Sequence, residues 1–239
     1  MRAAKNMSSV LEALKLAAPV AAAVRFEHLA HCFETSWAGA DVLASYGIEA
    51  KLVSVYFTVF HEALQLGLVV GANDDEAMEA TQGPKDRARP VVFDNRPDGE
   101  DRFHCVIATT QQGRQAWLDL TLGQVRIHGP DVPATFSHIG ADFTASPLVT
   151  LETRKGWKVT YYKTRTDRIA RLREKYADMV VDGYAADIRE LTDLALHLGN
   201  DRARFYAYLA RSMSPRDLDR LQRATSVVEP VAPVPLFSR

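Results

Sequence analysis

The sequence predicts an α+β protein in which a helix packs on an antiparallel sheet and further helices follow. Three observations carry that expectation. Apolar residues recur at helical spacing up to about Ala44, β-branched and aromatic runs broken by Gly and Pro fill 48–162, and helical periodicity returns after Thr166. The expected organisation is an α+β domain over 1–163, a helical extension over 164–226, and a proline-rich tail over 227–239.

A first helix is expected from Ser9 to Lys15, continuing past Pro19 to about Phe26. In the second, Phe33, Trp37, Ala40, Leu43 and Ala44 share one face, and Gly47 supplies a left-handed stop. The run from Ala50 to Phe60 is β-branched and aromatic and reads as a long strand. Residues 67–100 hold Gly71, Asn73, Gly83, Pro84, Pro90 and Pro97, and read as an irregular insertion with one short strand at Val91–Phe93. Such a loop is expected either to shape a substrate entrance or to be disordered.

A hairpin is expected next, with strands Phe103–Thr109 and Gln115–Leu120 about a turn at Gln112-Gly113. Gln124–His128 reads as a further strand, and Gly156–Tyr162 as the last. Beyond it, Ile169, Leu172, Tyr176 and Met179 form one helical stripe, and Tyr184, Ile188, Leu191, Leu194 and Leu198 a second that ends at Gly199. Phe205, Tyr208 and Leu209 form a third, and Ser214-Pro215 opens a fourth with Ser as N-cap.

Composition narrows the function. The 239 residues are 47% apolar and 25% charged, enough for a substantial core. Lys plus Arg number 29 and Asp plus Glu 30, so bulk charge points to neither a nucleic-acid nor an anionic-membrane partner. Two cysteines, Cys32 and Cys105, cannot build a disulfide framework, which suits a reducing, cytoplasmic setting. The apolar stretch Val10–Val24 is interrupted by Glu12, Lys15 and Pro19, and is expected to be an amphipathic helix rather than a membrane span or signal peptide. Phosphate-binding glycine loops are missing, so no cofactor is expected.

Three residues are candidates for chemistry. Cys32 falls at the start of the second helix, where backbone N–H groups and the helix dipole favour a thiolate and can hold an oxyanion. A small buried apolar thiol is the plainer reading. His104 lies on the first hairpin strand and Asp119 on the second. A turn centred between Gln111 and Gln112 would set them opposite one another, so that the carboxylate orients the imidazole and leaves the other ring nitrogen for a thiol. The plainer readings here are a satisfied half-buried histidine and a strand-end aspartate.

These segments resemble a known superfamily. His31-Cys32-Phe33-Glu34, leading to Val42-Leu43 and Tyr46-Gly47-Ile48-Glu49-Ala50, is similar to the nucleophile helix and following strand of transglutaminase-like, papain-related proteins. His104-Cys105-Val106 and Trp117-Leu118-Asp119-Leu120-Thr121 resemble their His and Asp strands. Arylamine N-acetyltransferases share the Cys-Phe-Glu and the His-to-Asp spacing. However, this chain lacks most of the helical region before the cysteine and the Gly-Phe-Gly-like stretch after the Asp, and its Cys-to-His interval is much longer. Small bacterial transglutaminase-like proteins are closer, with a Cys helix ending in Gly-Ile or Gly-Val and an Asp-Leu-Thr-Leu with Gln, as at Asp119 to Gln124. The resemblance covers residues 28–125.

The resemblance implies that Cys32 attacks an acyl carbon, His104 takes and returns the proton, and Asp119 orients His104. The resulting thioester would be resolved by water, as in an amidase, peptidase or deamidase, or by an amine in acyl transfer. The expected partner is an amide or acyl substrate, peptide or protein included.

Two rival readings of the same residues stand beside this one. A zinc site could draw on His28, His31, Cys32, His104 and Cys105, but residues 104 and 105 should point to opposite faces of a strand. Alternatively, the fold is catalytically silent and binds a protein, with Tyr206, Tyr208, Met213 and the tail docking a partner or a second copy of the chain. His61, His128, His138 and His197 lack a partner pattern. The basic face of 165–175 is interspersed with Asp167 and Glu174 and reads as solvated.

Overall fold

The computed structural model describes residues 6–26, 31–64, 66–81, 91–93, 103–111, 113–128, 130–140, 144, 147–175 and 183–225. His28, the prolines of the 67–100 segment, Tyr176, Met179 and the tail 227–239 lie outside the described residues.

Helix α1 (Met7–Phe26) runs unbroken through Pro19. It is not amphipathic as expected: Ala17 to Ala23 are all buried, because α1 lies between the sheet and later helices and has little solvent face. By length and composition alone α1 could cross a membrane, and 67% of its apolar window is buried inside this protein. Helix α2 (Cys32–Ser45) ends as expected, with Gly47 at φ +74.

Strand β1 (Glu49–His61) organises the sheet. Its first half pairs antiparallel with β4 (His104–Gln111), and its second half with β2 (Leu66–Val70) and β8 (Trp157–Lys163). From β4 the sheet continues to β5 (Arg114–Asp119) and β6 (Phe136–Ile139), and from β8 to β7 (Val149–Glu152). These seven strands are antiparallel and nearly close into a barrel, with Phe136 of β6 stacked on Tyr161 of β8 at 6.3 Å. Strand β3 (Val91–Phe93) adds in parallel to β2.

The two sheet faces build two cores. Toward the helices, Leu52, Cys105, Ile107, Ala116 and Leu118 pack with α1 and α2. On the barrel interior lie Val55, Phe57, Val106, Trp117 and Tyr161. Ile107 and Leu118 are fully buried, each worth about 1.5–3 kcal/mol over an exposed position. Contact between α2 and the sheet is close enough that a Cβ on Gly39 would meet Leu120 Cδ1 at 2.6 Å.

Three further expectations from the sequence differ from the structure. Residues 67–81 are not irregular: β2 and then α3 (Asp74–Thr81) occupy them, the helix opened by a reciprocal cap in which Asn73 Oδ1 accepts from Glu76 N and Glu76 Oε2 from Asn73 N. Gln124–His128 is not a strand but part of a 3₁₀ turn, Leu122–His128. Leu122 and Val125, three apart, both point into the core, as a three-residue turn requires. Finally, Gln111 pairs with Arg114, as a turn at Gln112-Gly113 requires, but that register pairs Ile107 with Leu118, so its centre lies one residue later than a direct His104–Asp119 pairing needs.

After β8 come α4 (Ile169–Lys175), α5 (Tyr184–His197), α6 (Arg202–Ser212) and α7 (Pro215–Thr225). Ser214 Oγ accepts from Asp217 N at 3.2 Å, the expected N-cap. Ile169, Leu172, Tyr184 and Ile188 join the core that holds α1 and α2.

Candidate functional site

A strand alternates its side chains, so neighbouring residues at the start of β4 enter different environments. His104 faces the barrel interior beside Phe57, whose ring meets it edge-on at 4.8 Å. Cys105 faces the helices. Asp119, the last residue of β5, is on the same face as His104 but diagonal to it rather than opposite, because a two-residue register offset keeps the face. The imidazole spans the diagonal: His104 Nε2 donates to Asp119 Oδ2 at 2.8 Å. Both side chains are fully buried.

Asp119 is held by more than the histidine. Tyr161 Oη of β8 donates to Oδ2 at 2.7 Å, and Thr121 N donates to Oδ1 at 2.8 Å with its hydroxyl at 3.4 Å. Burial alone would raise the Asp119 pKa. The His104 charge and these hydrogen bonds outweigh it and hold the carboxyl below its ordinary 3.8. Tyr161, pushed well above 10.0 by burial and by the Asp119 charge, stays a donor.

His104 is pulled two ways. Burial disfavours its cation, but the charge and hydrogen bond of Asp119, with further contributions from Cys32, lift it above 6.5. Opposing them, Gln124 Nε2 lies 2.9 Å from His104 Nδ1. With Nε2–H committed to the carboxylate, an amide N–H on Nδ1 fits only a neutral ring, whose lone pair it meets. Geometry and charge therefore disagree about the resting proton. Burial opposes the upward pull and Asp119 supplies its first share, while the Gln124 contact is the geometry of the neutral ring.

Cys32 is the first residue of α2 and is half-buried. The helix's first turn is anchored on several sides. Ser36 Oγ donates to the Cys105 carbonyl at 2.9 Å, Thr35 Oγ1 meets Tyr184 Oη at 3.0 Å, and Phe33 packs edge-on against Trp37 and Phe103. These contacts bring the α2 N-terminus to the start of β4. The Cys105 thiol is pushed well above 9.0, chiefly by burial and next by the Cys32 charge. Of the three expected residues, the structure thus joins His104 directly to Asp119. Cys32 acts on His104 from the end of α2, while Nδ1, the nitrogen a thiol would use, faces Gln124.

The start of β4 is also braced from outside. Gly71, at φ +73, lies against it, and a Cβ there would collide with the backbone of Phe103 and His104. Arg168 donates to the Gly71 carbonyl at 3.5 Å and to Glu76 Oε2 at 2.9 Å. Glu76 Oε1 accepts from Arg165 N.

Tyr161, Thr121, Phe57 and the contact of Gln124 were not found from sequence. Tyr161 gives no local signal, since its partner is on another strand. His104 and Cys105 do face opposite ways, and among the described residues no group of three His, Cys, Asp or Glu side chains is placed to hold a metal ion. No protein-family model, curated protein or solved structure matches this chain.

Proposed function

We propose that the protein is a thiol-dependent hydrolase or acyltransferase of the transglutaminase-like kind, acting on an amide or acyl substrate. Cys32 is the nucleophile, His104 the base and then the acid, and Asp119 the group that orients the ring. The observation that carries this reading is the buried His104–Asp119 pair, with its four-donor carboxylate, beside a helix headed by Cys32. A structural histidine needs one satisfied nitrogen. A carboxylate so heavily supported costs much to bury and keeps the ring oriented and basic.

In the first step the proton of Cys32 passes to His104 Nδ1 and the sulfur bonds to the acyl carbon. The N-terminal end of α2 offers positive potential to the developing oxyanion. Collapse of the tetrahedral intermediate breaks the bond to the leaving amine, which takes the proton from His104 and leaves a thioester on Cys32. Water or a second amine, deprotonated by the same ring, then releases the acyl group. Both cysteines are free, which suits a reducing compartment.

The test is the pH dependence of Cys32 alkylation by iodoacetamide, read by peptide mass spectrometry, with Cys105 as internal control. Labelling of Cys32 near pH 6 should fall by about two orders of magnitude in His104→Ala, the scale of losing a positioned base. Equal slow labelling in both proteins, rising only near the ordinary thiol value of about 8.5, would refute the reading. A silent fold used for protein binding is the second reading, and the occupation of Nδ1 by Gln124 is what favours it.

A further inference from the structure

Gln124 is 8% exposed and sits on the 3₁₀ turn that follows Asp119. Its side-chain nitrogen contacts the ring nitrogen that the mechanism needs. The backbone makes that placement firm. Gln124 N bonds the Thr121 carbonyl, and Gly123 N bonds the Ala134 carbonyl at 2.9 Å. A Cβ on Gly123 would meet Ala134 Cα at 2.9 Å, so the turn cannot be displaced outward without opening the loop beside it. The amide is thus delivered to Nδ1 by a packed turn.

We propose that Gln124 is a positioning residue that competes with Cys32 for His104 Nδ1 and holds the site in its neutral, resting form. The proposal rests on the triad reading given above. In the resting form Cys32 keeps its proton, His104 Nε2–H donates to Asp119, and the Gln124 amide N–H donates to the Nδ1 lone pair. In the reactive form the S–H bond breaks and an Nδ1–H bond forms. An amide N–H cannot donate to that nitrogen, so the Gln124 side chain must turn away or present its oxygen. The reactive ion pair is therefore a minor fraction until a substrate group takes the amide for itself. An acyl carbonyl is a matching acceptor for the freed N–H, which couples arrival of an amide substrate to release of the ring.

The groups that bear on this balance are few. Asp119 from β5 and the Cys32 thiolate from α2 favour the imidazolium, Tyr161 from β8 acts through Asp119, and Phe57 from β1 is uncharged. Cys105 points to the other core. Burial and the Gln124 amide favour the neutral ring.

The experiment follows Cys32 alkylation against pH in the full chain for wild type, Gln124→Met and His104→Ala. Methionine keeps the length and loses the donor. Gln124→Met should label about fivefold faster near pH 6, the worth of one neutral hydrogen bond. Its midpoint should move down by about 0.7 unit. An unchanged or raised midpoint in folded Gln124→Met overturns the proposal. If His104→Ala leaves Cys32 labelling unaltered, the triad reading itself falls; if only Gln124→Met is silent, the triad stands and the competition does not. Long-range ¹H–¹⁵N spectra of unsubstituted protein at pH 8 give an answer that needs no variant. His104 should show Nε2 protonated and Nδ1 as a bare acceptor, and a protonated Nδ1 would refute the resting form.

Discussion

The protein buries two ion pairs on either side of the same short stretch of backbone, and they differ in one property. Arg168–Glu76 ties the segment after β8 to the cap of α3, with side chains 7% and 0% exposed. His104–Asp119 ties β4 to β5, both partners at 0%. An arginine is always charged, so the first pair is a permanent fastening whose carboxylate also receives the backbone of Asn73 and Arg165. An imidazole, unlike a guanidinium, can hand its proton to a partner and take it back, so the second pair can change its charge state. One pair holds Gly71 against β4; the other uses the place so held. The difference is between a charge spent on structure and a charge that can be moved.

The comparison can be broken most forcefully by removing one carboxylate from each pair. Glu76→Ala and Asp119→Ala should each destabilise the protein by about 3–5 kcal/mol in urea unfolding, since each leaves a buried charge or donor set uncompensated. Only Asp119→Ala should change the pH profile of Cys32 alkylation in the folded fraction. A matching change in Glu76→Ala would mean that the two pairs are not separate in role. The double substitution Glu76→Leu with Arg168→Met should recover most of the stability lost in Glu76→Ala, because a buried fixed pair is replaceable by apolar packing.

A smaller effect sharpens the other side. Tyr161→Phe removes one donor from Asp119 and should cost about 1.5–3 kcal/mol, the worth of a hydrogen bond to a charged group. Thermal and urea unfolding together check it, and no loss at all would mean that Tyr161 is only packed against the pair. The smallest effect is on the acid side. Asp119 sits below its ordinary 3.8 in the folded protein, so its contribution is present above that pH and is lost as pH falls further. Stability measured from pH 5 down to pH 3 should fall less steeply in Asp119→Ala than in the wild type, and identical slopes would contradict the shift.

Much of this arrangement was legible in the residues. The helical stripe through Phe33, Trp37 and Leu43, with Gly47 as its stop, placed Cys32 at a helix start. The β-branched run after Ala50 marked the central strand, and the hairpin brought His104 and Asp119 to one face. The centre of the hairpin was off by one residue, which changed a direct pairing into a diagonal one and left the face unaltered. The segment after Gly67 reads as irregular because of the polar, Gly- and Pro-bearing residues beyond Gly71, although Leu68-Val69-Val70 is an apolar run and Asn73 and Glu76 stand at the spacing of a reciprocal helix cap. Gln-Val-Arg-Ile-His alternates like a strand, and only the burial of Leu122 with Val125 reveals a period of three. Nothing local marks Tyr161 as a partner of Asp119, since that pairing is made by closure of the sheet.

The packing of α1 also constrains the protein's synthesis. The helix is translated well before α5 and α7, the elements that cover much of it. At about 5–20 residues per second, the interval between Phe26 and Tyr184 leaves twenty apolar-rich residues uncovered for roughly 10–30 s. During that time the ribosome presents a segment with the length and hydropathy that membrane-targeting factors recognise. Until α5 and α7 arrive, α1 depends on the sheet and α2 for its cover.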